Sequence, residues 1–197
     1  FAYDARRLVA ADSKVLIGIA AARLIPDNSS VILNIGTTTE QVATALRRHQ
    51  GLMVITNNIN VANILRDAPS AEVVIAGGLV RHSDGGIMGE ATVDFIRQFK
   101  VDFAVIGASA IDRDGSILDY DFREVKVSQA IIAQARKTIL VSDSLKFERT
   151  APVRIADLSM IDVFVTEVEP PREIVDYCRA HDVELIIAGP MAAEQAA

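Results

Sequence analysis

Val31-Ile32-Leu33-Asn34-Ile35-Gly36-Thr37-Thr38-Thr39-Glu40-Gln41-Val42-Ala43-Thr44-Ala45-Leu46 is the stretch whose reading decides how this chain folds. Val31 to Ile35 is a short apolar run with β-branched members, the pattern of a buried strand. Val42, Ala45 and Leu46 then fall on one face of a helix. Gly36 and three threonines join the two, and the spacings Thr37 to Glu40 and Thr38 to Gln41 fit a capping box at the helix start. A strand that turns at glycine into a helix leaves the first helical N–H groups free to hold an anion, and threonine hydroxyls add donors. Taken alone, the same residues also describe an ordinary capped helix, so the rest of the chain has to decide between the two.

Upstream, the alanine-rich segment Ser13 to Ile25 carries Leu16, Ile19, Ala20 and Leu24 at helical spacing and stops at Pro26-Asp27-Asn28. Residues 1–12 read as a linker leading into it. Downstream, Met53–Thr56, Val73–Ala76, Phe103–Ile106, Ile139–Val141, Val163–Thr166 and Leu185–Ile187 are apolar runs of strand length. Helical patterns separate them through Val61–Leu65, Glu90–Phe99, Phe122–Ala135 and after Pro170-Pro171, and turns fall at Asp84-Gly85-Gly86 and Asp112 to Gly115. Strands that are apolar on both faces and alternate with helices indicate an α/β fold, a mainly parallel sheet flanked by helices. Residues 13–188 are expected to form one domain and residues 189–197 a flexible tail. With 197 residues, half of them hydrophobic, the chain is long enough for one well-buried core.

Composition narrows the function classes. A net charge of −6 argues against this piece gripping DNA, because phosphate contacts need clustered Lys and Arg. No apolar run approaches the length of a membrane span, and no signal peptide is evident. The single cysteine, Cys178, follows Ile174 by one helical turn and reads as packed; it leaves no intrachain disulfide and suits a cytoplasmic protein. His49, His82 and His181 are scattered, and Asp112, Asp114, Asp119 and Asp121 lack the order of a calcium loop, so neither a metal nor a cofactor is expected. Phe1 in place of an initiator methionine points to a fragment.

The apolar strands end at small or polar residues: Gly36-Thr37, Asn57-Asn58, Gly77-Gly78, Gly107-Ala108-Ser109 and Asp143-Ser144. In an open parallel sheet these carboxyl ends share one edge, where ligands bind. A small phosphorylated ligand fits that pattern. Gly36, Thr37, Thr38 and Thr39 are the candidates for its phosphate, with Lys146 supplying charge; Arg81 and Arg123 are weaker candidates. Asn57, Asn58 and Asp119 are candidates for hydroxyl groups, and Gly77, Gly78 and Gly107 for close backbone approach. Asp143 could either orient Lys146 or cap the turn.

Gly36-Thr37-Thr38-Thr39, Thr56-Asn57-Asn58, Ala76-Gly77-Gly78, Gly107 to Asp112, Glu124 and Asp143-Ser144-Leu145-Lys146-Phe147 together resemble the effector domain of DeoR-family bacterial repressors. The resemblance runs from about Phe1 to Ile187. Thr56 to Asn63 and Asp84 to Ile96 are most similar to the branch of that family that responds to sn-glycerol 3-phosphate. It implies a fold similar to ribose-5-phosphate isomerase, a phosphorylated sugar or polyol at the strand ends with Glu124 as a further candidate for its hydroxyl groups, and a homo-oligomer. It also implies operator DNA bound through an N-terminal winged helix-turn-helix that these residues do not include. One departure is Ser128, four residues after Glu124, where many members carry a lysine; this places more weight on Lys146.

The same resemblance raises an isomerase as the alternative. An aldose–ketose isomerase needs a base to move a proton between adjacent carbons. Its two aspartates align with Ile106 and Ser109, of which the first carries no proton and the second is a poor base without a partner. Its lysine aligns with the Asp112 to Gly115 turn. A phosphate site that lacks this acid–base set reads as a sensor with no catalytic residue.

Overall fold

The computed structural model describes residues 2–8 and 10–189. In chain order the elements are α1 (Tyr3–Leu8), α2 (Ala11–Ala22), β1 (Ser30–Leu33), α3 (Thr37–Leu46), β2 (Leu52–Thr56), α4 (Ile59–Leu65) and β3 (Ala71–Ile75). The hairpin β4 (Leu79–Val80) and β5 (Ile87–Met88) follows, then α5 (Glu90–Ile96), β6 (Val101–Ile106), β7 (Ala110–Ile111) and β8 (Ser116–Asp119). The remainder is α6 (Phe122–Ala133), β9 (Ala135–Val141), β10 (Val153–Asp157), β11 (Val163–Thr166), α7 (Arg172–Ala180) and β12 (Glu184–Ile187). The tail expected over residues 189–197 falls, beyond Gly189, outside the described residues.

Seven strands form one sheet in the order β12-β11-β9-β6-β1-β2-β3, and every pairing in it is parallel. The strands are apolar throughout because both faces are covered. Along β1, Val31 and Leu33 pack with Ile17 and Ala21 of α2 and with Val42 and Leu46 of α3. Ile32, on the opposite face, joins Val127 and Ile131 of α6. This period-two division is repeated at Ile139/Val141 against Leu140, and at Val163/Val165 against Phe164. Cys178 is buried in the α6 side of the core, and burial pushes its thiol up to about 11, so it is packed and inert.

The order contains a switch. From β1 the chain builds outward through β2 and β3; from β6 it builds the other way through β9, β11 and β12. β1 and β6 are neighbours, so the loops after Leu33 and Ile106 leave the sheet side by side in opposite directions. In open parallel sheets the crevice at such a point is where ligands sit.

Two features were not evident in the sequence. The Asp84 to Gly86 turn belongs to the β4–β5 hairpin, and the Asp112 to Gly115 turn joins β7 to β8, which with β10 makes a three-stranded antiparallel sheet. Strands of two residues have no readable period. The expected linker is helical over Tyr3–Leu8, and α2 begins at Ala11.

α2 lies directly on α3. A Cβ at Gly18 would come within 2.7 Å of the Gln41 backbone carbonyl, so the glycine sets the distance between the helices. Gly18→Ala is expected to force them apart and lower unfolding stability by about 1–3 kcal/mol, the usual range for overpacking. Urea unfolding measures this; an unchanged midpoint would mean that the contact has slack.

Candidate functional site

A cleft of about 440 Å³ opens at the switch point. That is within the range of roughly 300–1,000 Å³ typical of small-molecule sites. One wall is the start of α3, where Gly36 is the N-cap with φ 139°, a conformation that favours glycine. Thr37, Thr38 and Thr39 follow, and the N–H groups of a first helical turn have no intrahelical partner. Thr39 is fully buried, and its hydroxyl has no hydrogen-bond partner among the described residues. Beneath it runs the loop after β6: a Cβ at Gly107 would sit 3.8 Å from the Thr39 hydroxyl. The cleft therefore has a donor-rich floor and beside it one buried hydroxyl left unpaired, which a ligand or water would satisfy.

The opposite wall is ionic. Arg81, on the turn between β4 and β5, donates from Nε to Asp84 Oδ1 at 2.9 Å and from Nη2 to Asp84 Oδ2. The same guanidinium lies 2.8 Å from Glu124 Oε2 and 3.5 Å from Asp121 Oδ2. Burial opposes the charge of Arg81, but Asp84 and Glu124 hold its pKa above the usual value. Glu124, in the first turn of α6, is pushed up to about 7: burial is the main cause, the neighbouring Asp119 adds to it, and Arg81 opposes both. Asp119 itself accepts from Ser109 Oγ at 2.8 Å and from the Tyr120 N–H at 2.7 Å. Lys146 and Arg149 complete the lining with two further cations.

Of the residues expected from the sequence, Gly36, Thr37, Thr38, Thr39, Gly107, Asp119, Glu124 and Lys146 line this one cleft. Asn57, Asn58, Gly77 and Gly78 do not. Asn58 caps α4 by accepting from the Asn60 and Val61 N–H groups, and its amide donates to Glu40 at 3.1 Å. Asn57 donates to the Ile87 carbonyl and so fastens the hairpin to β2. Gly78, at φ 148°, is dictated by packing, because a Cβ there would lie 2.0 Å from the Thr92 hydroxyl. The Gly77 carbonyl accepts from that hydroxyl at 2.7 Å. The capping boxes at Thr37/Glu40 and Thr38/Gln41 do not form either, since the N-cap is Gly36, which has no side chain to accept from the helical N–H groups.

Arg81 outranks the position given to it from sequence, whereas Arg123 lies on the outer groove between α5 and α6. Ser83, Asp84, Tyr120, Asp121 and Arg149 also line the cleft; of these, Ser83, Asp84, Tyr120 and Arg149 carried no signal beyond turn chemistry. Ser128 is buried beneath the cleft, where it accepts from Asn34 Nδ2 at 2.8 Å and donates to the Glu124 carbonyl at 3.2 Å. Asp143 accepts from the Leu145 N–H at 3.0 Å and caps the short 3-10 helix bearing Lys146. Among the described residues, no group of three or more His, Cys, Asp or Glu side chains could hold a metal ion.

Residues 9–168 match the family described as the DeoR C terminal sensor domain. The glycerol-3-phosphate regulon repressor of Haemophilus influenzae is 49% identical over 166 residues, taking in 84% of this chain and 64% of that protein. Its counterpart from Escherichia coli is 42% identical over 180 residues, 91% of this chain and 71% of that one. The chain thus spans less than two thirds of the length of the Haemophilus repressor. Among solved structures, ribose 5-phosphate isomerase A from Methanocaldococcus jannaschii aligns over 70% of this chain and 55% of its own, with a TM-score of 0.52 at 13% identity, a likeness of fold alone. With family, fold and strand-end cleft in agreement, the chain belongs to the DeoR family of transcriptional repressors, as a C-terminal sensor domain.

Proposed function

We propose that this chain is the effector-sensing part of a repressor of glycerol metabolism and that sn-glycerol 3-phosphate is its inducer. The carrying observation is the buried, unpartnered Thr39 hydroxyl beside the first turn of α3. A phosphate seated on Gly36–Thr39 would satisfy that hydroxyl and take up the free helical N–H groups. Lys146 adds positive charge to the cleft, and Asp119 and Glu124 offer acceptors to the two hydroxyls. The 42–49% identity to glycerol-3-phosphate regulon repressors supports this effector over another sugar phosphate. In this reading the protein works as a homo-oligomer in the cytoplasm and grips operator DNA through a winged helix-turn-helix outside these residues. Effector binding weakens the operator complex by about 1–3 kcal/mol, the usual size of an allosteric coupling.

A sugar-phosphate isomerase remains the second reading, favoured by one observation: a carboxyl near 7 suits a general base. Against it, Ile106 is buried within β6 and the relatives are named repressors.

Calorimetric titration tests the proposal. sn-Glycerol 3-phosphate is expected to bind with 1:1 stoichiometry and glycerol not at all; continuing heat after saturation with ribose 5-phosphate would move the chain to the enzymes. Thr39→Val keeps the shape and deletes the hydroxyl. It should bind the ligand roughly tenfold more weakly, the loss of one hydrogen bond to a charged group. Its fold should be as stable as the wild type or more so, because an unpaired buried hydroxyl costs about 1–3 kcal/mol. Equal affinity would remove Thr39 from the seat.

Glu124 gives a pH signature. Its carboxyl is protonated below about 7 and ionised above. A ligand hydroxyl donates best to the ionised, acceptor-only form. Binding therefore favours loss of the proton, and affinity should rise as pH increases through about 7. Glu124→Gln removes that component and leaves only the titration of the ligand's own phosphate. Identical pH slopes for the two proteins would take Glu124 out of contact with the ligand.

A further inference from the structure

With no capping box to close, the Glu40 carboxylate turns away from its own helix terminus and joins two other elements, α1 and α4. Its Oε1 accepts from the Tyr3 hydroxyl of α1. Its Oε2 accepts from Asn58 Nδ2 at 3.1 Å and from Asn60 Nδ2 at 3.4 Å, both at the start of α4. Asn60 Nδ2 also donates to the Asp84 carbonyl at 2.9 Å, and Asp84 holds Arg81 in the ionic wall of the cleft. The backbone N–H of Glu40 closes the first turn of α3 on the Gly36 carbonyl at 3.0 Å. One buried carboxylate, itself outside the cleft, thus sits on the helix that opens one wall, reaches the turn that forms the other through Asn60, and binds α1 directly.

These partners are not equally firm. Asn58 and Asn60 belong to an element whose Val61 and Leu65 are fully buried in the core. Tyr3 belongs to a six-residue helix, and a helix that short does not persist without tertiary contacts. α3 cannot move closer to α2, because Gly18 already lies against the Gln41 backbone. A displacement of the first turn of α3 would therefore be taken up where Glu40 is held least firmly, at Tyr3. An incoming phosphate also places negative charge on the same helical turn as the Glu40 carboxylate, and the two repel.

We propose that Glu40 is a positioning residue that ties both walls of the cleft to α1, and that a phosphorylated ligand on Gly36–Thr39 loosens the Tyr3–Glu40 hydrogen bond and releases α1. The relay rests on the phosphate seat proposed above. The raised pKa of the Tyr3 phenol, due to burial and then to the bond with Glu40, keeps it a donor over the physiological range.

Tyr3→Phe removes the hydroxyl and keeps the ring, and Tyr3 does not line the cleft. Amide exchange at Arg7 and Leu8, the last residues of α1, is the first readout. In the wild type, saturating sn-glycerol 3-phosphate should speed it about fivefold or more, inorganic phosphate should do so in part, and glycerol should have no effect. In ligand-free Tyr3→Phe the exchange should already be fast, and ligand should add little. The second readout is affinity, which a merely structural tyrosine would not alter in this direction. If ligand weakens the bond, deleting the bond must tighten ligand by the same factor, so Tyr3→Phe should bind sn-glycerol 3-phosphate about fivefold more tightly in calorimetry. Binding with unchanged or slower exchange in α1, or no tightening in Tyr3→Phe, overturns the relay while leaving the seat intact. Failure of both sn-glycerol 3-phosphate and phosphate to bind overturns the seat, and the relay with it.

Discussion

The cleft depends on Arg81. Asp84, Asp119, Asp121 and Glu124 converge on one wall of a site whose other wall is the N-terminus of α3. Without a cation among them, those carboxylates would repel each other and any phosphorylated ligand. Arg81 touches three of the four, and its planar fork lets one side chain engage Asp84 through two nitrogens while still reaching Glu124. The proton that Glu124 retains up to about pH 7 relieves the remaining excess of negative charge. Removing one partner from such a half-buried set leaves the other charges poorly solvated, so the wall stands or collapses as a unit.

The sheet makes this wall possible by bringing distant segments together. β1 and β6 are adjacent but lead in opposite directions, which leaves space between the α3 start and the loop after Ile106. α6, carrying Glu124, covers the sheet face opposite to α3, and the β4–β5 turn reaches over to meet it. The hairpin is anchored at its base by backbone and side-chain bonds between Asn57 and Ile87, and at its tip by the Asn60 bond to the Asp84 carbonyl. Arg81 is therefore aimed by groups that never reach the cleft.

What could be read in the sequence follows from this division. The Val31 to Leu46 stretch was legible because a strand, a glycine and a helix each leave a local pattern, and the cleft is built on that junction. Lys146 could be placed beside it from the strand-end pattern, and Glu124 through the resemblance to the DeoR family. Asn57 and Asn58 misled because small polar residues at a strand end serve equally well as ligand donors and as helix caps, and only geometry separates the two uses. Arg81 was undervalued because its flanking strands are two residues long and show no period, so nothing local tells that the turn folds back over the sheet. Glu40 looked like half of a capping box, but Gly36 occupies the N-cap, and its actual partners lie in α1 and α4. Contacts between residues far apart in sequence leave no local trace, and the ionic wall consists of them.

The central claim is that the first turn of α3 is a phosphate seat. Backbone amide NMR during titration with sn-glycerol 3-phosphate tests it most directly. The largest shifts are expected on the Thr37, Thr38 and Thr39 N–H groups; inorganic phosphate should move the same resonances, and glycerol should not. Saturable binding that leaves those three amides unmoved would contradict it.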